Sequence, residues 1–314
     1  MTALRLGDTS RFMTVDDVVE TYGVPKKVVK FRRHLDSAEN VAVLPDNKIV
    51  VSDKVGQRVR VFDTGGNLFG SLGEKIRPEG VTTTASGMVA LVDSRKKKNR
   101  CIRVFSSVDG NLYSKWGEEF GSWMPKGIAF SNRGHLVVSQ VTKNAHSVGL
   151  YTIDGKQLHK FGGYGSGGAD FNGPCYVAVD MFDRVIVSDK NNHVVKLFDE
   201  RGVFLGKIGG YGTGEGRLHD PRGVCSDSSG NIFVCDSGNR RVAVFSLYGR
   251  FVQDVLTSKQ DLGYPFGIAY SKEANQLVVT QNYSNIEGGH LRKIRVYELD
   301  PLPPLKIGRK SVTN

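Results

Sequence analysis

The residues of this chain best suited to chemistry are cations and aromatic rings that return at a regular interval. After a Ser-Asp pair stand Lys54, Arg95, Lys190 and Asn191, and after a Gln that replaces the Asp stand Asn282 and Tyr283. Within or just before Pro-x-Gly strings stand Arg77, Lys126, Arg222, Tyr264 and Phe266. The densest charge is Arg95, Lys96, Lys97, Lys98 and Arg100. Cations neutralise phosphates, and exposed rings stack on bases at ~1 to 3 kcal/mol each, so the combination suits a single-stranded polyanion. Two other readings stay open. The 95–100 run also reads as a solvated loop or a localisation signal, and Tyr264 and Phe266, on either side of Pro265, could pack under loops instead of stacking. Tyr176 stands where other repeats have Gly80, Gly127, Gly223 and Gly267, which places a bulky ring near the mouth of any central channel.

The elements that must hold these side chains follow from the repeat. The Asp or Gln position falls at Asp53, Asp93, Gln140, Asp189, Asp236 and Gln281, at intervals of 40, 47, 49, 47 and 45 residues. Each copy holds short stretches of period-two alternation separated by Gly turns, which predicts four antiparallel strands per copy and an all-β, six-bladed β-propeller. The sixth copy stops at Pro301, Pro303 and Pro304 before a fourth strand. The segment VPKKVVKFRR, with Val28, Val29 and Phe31 at strand spacing, is expected to complete that blade and close the ring, removing a free sheet edge. Residues 1–23 and 301–314 read as linker and tail around a propeller of residues 24–300.

Composition narrows the class. No stretch approaches the roughly 20 apolar residues of a membrane helix, and no charged-then-apolar leader opens the chain, so a soluble, non-secreted protein is expected. The four cysteines, Cys101, Cys175, Cys225 and Cys235, have no metal or disulfide spacing, and the seven histidines are scattered. The Gly-rich strings at 161–168 and 208–216 lead into strands and lack Gly-Lys-Ser/Thr, so they read as connectors, not phosphate loops. No enzyme activity and no cofactor are expected. The net charge is +11. Sorted by the rim each turn should occupy, the rim bearing the second-to-third-strand turns and the blade connections holds 20 Lys or Arg against 11 Asp or Glu, and the opposite rim 7 against 10. A one-sided excess of this kind is an electrostatic footprint for a polyanion. The Asp of Ser-Asp reads as structural, accepting N–H groups of the turn that follows it.

The strings Pro-Arg-Gly-Val at 221–224, GNIFVCDSGNRRV at 230–242 and FGGYGSGGADFNGP at 161–174 resemble NHL repeats, and the chain is similar to the propeller of the TRIM-NHL family of post-transcriptional regulators. The resemblance implies single-stranded, U-rich RNA as ligand, silencing-complex or other regulatory proteins as partners, and a cytoplasmic or ribonucleoprotein-granule location. It places RNA contacts at Lys54, Arg77, Arg95, Lys126, Lys190, Asn191, Arg222, Tyr264, Phe266, Asn282 and Tyr283, to which the basic run adds Lys97 and the ring near the channel mouth adds Tyr176. A protein-interaction platform on the same propeller is the alternative.

Overall fold

The computed structural model describes residues 22–23, 25–30, 35, 37–95, 99–118, 124–143, 145–284 and 290–299. Strands pair into six four-stranded antiparallel sheets. Blade 1 is Ala38–Val43, Ile49–Asp53, Arg58–Phe62 and Leu68–Leu72, and blade 2 is Pro78–Thr83, Met88–Asp93, Cys101–Ser106 and Leu112–Trp116. Blade 3 comprises Pro125–Phe130, Leu136–Val141, His146–Tyr151 and Gln157–Phe161, and blade 4 Pro174–Val179, Val185–Asp189, Val194–Phe198 and Phe204–Gly209. Blade 5 is Pro221–Ser226, Ile232–Asp236, Arg241–Phe245 and Phe251–Leu256. Blade 6 takes Tyr264–Ser271, Gln276–Ser284 and His290–Glu298 from the end of the chain and its outer strand, Lys26–Lys30, from the beginning. The pairs Lys27↔Tyr297 and Val29↔Val296 lock that closure, as the orphan segment led one to expect.

Second strands are buried on both faces, because each blade is covered by neighbours on either side. IVVSD, VIVSD and IFVCD are buried at every position. Six apolar clusters result, one between each pair of adjacent blades. Each fully buried Val, Leu, Ile or Phe contributes about 1.5–3 kcal/mol, and this burial holds the ring together. Around the axis the inner strands touch backbone to backbone. A Cβ on Gly127 would lie 2.8 Å from the Cys175 carbonyl oxygen, and one on Gly223 2.4 Å from the Phe266 carbonyl oxygen, so both positions require glycine.

Two segments differ from the sequence expectation. Tyr22, assigned to the linker, is buried against blades 5 and 6. Asn282 and Tyr283, assigned to a loop, extend the second strand of blade 6, with Asn282↔Arg292, Tyr283↔Leu291 and Ser284↔His290 in register. Alternation of apolar and polar residues fades there, but backbone pairing does not depend on it.

Candidate nucleic-acid interface

The rim is positioned by the carboxylate that ends the second strand of blades 1, 2, 4 and 5. Asp53, Asp93, Asp189 and Asp236 are fully buried. Each reaches back to an N–H of the preceding blade connection: Ser37 at 2.8 Å, Arg77 at 3.1 Å, Asn172 at 2.7 Å and His219 at 2.7 Å. Gln281 does the same for Gly263 at 2.8 Å. The structural role expected of this position is present, but its backbone bonds go mainly to the connection before the blade; the turn after it is held by few N–H groups, such as Gly56 to Asp53 at 3.1 Å, and by side chains, Asn192 to Asp189 at 2.6 Å and Asn239 to Asp236 at 2.7 Å. The other carboxylate oxygen takes a cation from the third strand: Arg60, Arg103, Lys196 or Arg241, at 3.4, 3.0, 3.1 and 2.7 Å. A buried carboxylate with several N–H partners and a cation satisfies its lone pairs, and so fixes the rim loops.

The expected contact residues fall into two groups around this frame. Over blades 1 to 3, Lys54 and Lys126 converge on Glu79, at 2.8 and 3.0 Å. Burial raises the Glu79 carboxyl pKa, Lys126 and Lys54 lower it, and the net direction is down. Arg95 folds back on buried Asp93, its Nε 3.0 and 3.1 Å from the two oxygens. That corrects its assignment as a phosphate ligand: a guanidinium two residues from a buried carboxylate is captured by it. Arg77 is exposed, and among the described residues it is the expected cation without an ion pair. Lys97 lies outside the described residues.

Over blades 4 to 6 the arrangement is different. Lys190 and Arg222 share Asp220, at 3.3 and 3.0 Å, yet the Arg222 guanidinium also lies 4.2 Å from the centroid of the Phe266 ring. Between the same two blades, 5 and 6, exposed Arg240 sits 5.3 Å from the ring of Tyr264, which is 41% exposed. Thus Tyr264 is available for stacking, whereas Phe266 is half-buried with a guanidinium on one face. Lys190, exposed Asn191, His193, His219, Asp220 and Tyr264 line an open cleft of about 520 Å³. Asn282 pairs with Tyr264 across the sheet and is half-buried, while the side chain of Tyr283 is outside the described atoms.

Tyr176 is not a rim ring. Its hydroxyl donates to the Glu39 carbonyl at 3.3 Å, and Glu39 lies in blade 1, directly across the ring from blade 4. The side chain therefore crosses the axis, and burial pushes its phenol pKa well up. Replacing the inner-strand glycine puts the ring into the channel, as expected of this position, and the tie to Glu39 holds it away from the rim cleft.

Several rim residues were not among the expected RNA contacts. His193 and Arg240 occupy the same turn position with left-handed backbone, φ 55° and 54°. His193 Nδ1 accepts the Asp220 N–H at 3.2 Å, and its ring lies 4.9 Å from Tyr211 and 5.4 Å from His219. Burial and then the neighbouring His219 lower the His193 pKa, and protonating Nδ1 would set two donors face to face. His146 holds a related place: its Nδ1 lies 3.1 Å from both the Gly173 nitrogen and the Phe171 carbonyl oxygen, beside Tyr164 at 4.9 Å. Tyr164 and Tyr211 are 63% and 70% exposed. The available signal was the duplicated Gly-Gly-Tyr-Gly at 162–165 and 209–212.

Comparison with known proteins bears on this geometry. The family model described as NHL repeat matches residues 218–245. Those residues are an NHL repeat. Among curated proteins, Protein brain tumor of Drosophila melanogaster is 28% identical over 132 residues, a stretch covering 39% of this chain and 12% of that protein. Among solved structures, a gluconolactonase from Xanthomonas campestris superposes with TM-score 0.66 at 16% identity, covering 86% of this chain and 89% of its own. Virginiamycin B lyase from Staphylococcus aureus gives TM-score 0.59 at 12% identity, with 89% and 100% covered. At such identities the two enzymes share the fold alone. Among the described residues no group of three or more His, Cys, Asp or Glu could hold a metal ion, and no helix is long and apolar enough to cross a membrane.

Proposed function

We propose that this propeller binds single-stranded RNA along the rim of blades 4 to 6 and serves a TRIM-NHL-like role in post-transcriptional regulation. The observation that carries the reading is the pairing of guanidinium with aromatic ring in adjacent blades, Arg222 with Phe266 and Arg240 with Tyr264, beside the Lys190 cleft. Cations there meet phosphates, and Tyr264 offers a face to a base. The NHL repeat covers Arg222 and Arg240, and the partial similarity to Protein brain tumor fits the same role. A U-rich sequence, silencing-complex partners and a cytoplasmic, granule-associated location belong to this proposal, as does the absence of catalysis.

The test is fluorescence polarisation of a labelled U-rich oligomer against salt, with labelled polyglutamate as control. Binding should fall with a log-log slope of about 0.7 per neutralised phosphate, and should weaken in Arg240→Ala. Equal affinity for polyglutamate, or binding indifferent to both salt and Arg240→Ala, would falsify the proposal.

A further inference from the structure

Two successive blade connections on the cationic rim are built alike, one carrying Tyr164 and the next Tyr211, each within Gly-Gly-Tyr-Gly. In each, the tyrosine backbone bridges to a fully buried residue, Phe171 or Leu218. An asparagine of the following blade's turn then donates to the glycine carbonyl after the tyrosine, Asn192 to Gly165 and Asn239 to Gly212, both at 2.9 Å. Both exposed rings therefore stand on pinned backbone.

An exposed tyrosine by itself says little, since much of any protein surface is apolar. The surroundings of the two differ. The first loop closes on Asp170: a Cβ on Gly163 or Gly165 would lie 2.8 or 3.0 Å from its carboxylate oxygens. The second closes on Arg217, which packs against Gly210 and Gly212, is exposed, and makes no ion pair among the described residues. His219 takes the place that Asn172 holds one blade earlier, and Gly238 makes room for it, because a Cβ there would lie 2.6 Å from the imidazole. Tyr211 thus rests against His193 and His219, at 4.9 and 5.3 Å. Both histidines line the cleft that Tyr264 also lines. Around this loop and cleft Lys190, Arg217, Arg222 and Arg240 stand against Asp220 and Glu215, and Asp220 is shared by Lys190 and Arg222, so positive charge remains.

We propose that Tyr211 is a second base-stacking position for single-stranded RNA, reached from Tyr264 across the histidine-lined cleft. Tyr264 opens the inner strand of blade 6, and Tyr211 follows the outer strand of blade 4. The strand therefore runs outward over the connection between blades 4 and 5, its phosphates following Lys190, Arg240 and Arg217. At 70% exposure Tyr211 keeps a face open to a base, and the two imidazoles hold its ring in place before the ligand arrives, which lowers the ordering cost of binding. Tyr164, with a carboxylate in place of the guanidinium, does not take part. This assignment rests on the RNA reading and gives that site its path.

Polarisation titrations of the labelled U-rich oligomer into the full chain test it. Tyr211→Ala should weaken binding about tenfold with the melting temperature unchanged, Tyr211→Phe should bind as wild type, and Tyr164→Ala should have no effect. Arg217→Asp, which copies the charge of the preceding connection, should lower the log-log salt slope by about 0.7. With iodouridine in the oligomer, ultraviolet light should crosslink the peptide bearing Tyr211 and spare the one bearing Tyr164. Affinity that falls in Tyr264→Ala and Arg240→Ala but stays at the wild-type level in Tyr211→Ala overturns this assignment and leaves the RNA reading standing. Equal losses in Tyr211→Ala and Tyr164→Ala overturn it as well, and absence of RNA binding by the wild type removes both.

Discussion

Blades 1 to 3 and blades 4 to 6 carry the same four-stranded sheets and the same buried Asp or Gln near the end of the second strand, but they dispose of the charge differently. In the first half Glu79, at the middle of Pro-x-Gly, draws in Lys54 and Lys126, and Arg95 returns to Asp93. In the second half Arg222 shares Asp220 with Lys190 and also faces the Phe266 ring, while Arg240 faces Tyr264, and a ring does not neutralise a guanidinium. The lesson is that a count of cations on a rim measures potential, while the residue beside each cation decides how much remains for a ligand.

The largest test of this contrast concerns the frame. Lys196 is 1% exposed against Asp189, whereas Arg60 against Asp53 is 11% exposed. Asp189→Ala should therefore cost about 3–5 kcal/mol in denaturant melts, since it strands a buried charge, and Asp53→Ala less. Next, Tyr264→Ala should weaken U-rich RNA by roughly 1–3 kcal/mol in polarisation titrations, while Arg95→Ala should leave RNA affinity nearly unchanged and lower the melting temperature. An equal loss of RNA affinity in both would break the division into halves.

Smaller effects sharpen it. Glu79→Gln should release Lys54 and Lys126 and raise RNA affinity a few-fold, extending the site into the first half. Acid should act in the same place. The folded pKa of Glu79 lies below its unfolded value, so its contribution to stability is present above the ordinary carboxylate range and is lost as pH falls through the folded value. The smallest expected effect is at His193. Its folded pKa is also depressed, so the neutral form favours the fold, and stability should decline as pH drops below the usual histidine value of about 6.5. His193→Asn should flatten that limb of the Tm-against-pH curve, and an unaltered limb would assign the effect elsewhere.

Much of the architecture was legible because it is periodic. The spacing of Asp53, Asp93, Gln140, Asp189, Asp236 and Gln281 sets six blades, and VPKKVVKF supplies the strand that blade 6 lacks. Which of the expected contact residues come together was only partly legible. Lys190, Asn191, Arg222 and Tyr264 do meet at one cleft or its border, while Arg95 and Tyr176 turned inward. Arg240 escaped notice because nothing in Gly-Asn-Arg reveals that a left-handed backbone will set the guanidinium beside a tyrosine of the next blade.

The amino-acid order alone determined the ring, its closure and the rim on which positive charge accumulates, since alternation, turn residues and repeat length act locally and add up along the chain. Only the folded ring decided which cations are quenched, that Tyr176 spans the axis, and that Tyr22 is buried against blades 5 and 6. Those outcomes depend on distances of a few ångströms between residues up to 231 positions apart, and such distances exist only once the blades have closed on one another.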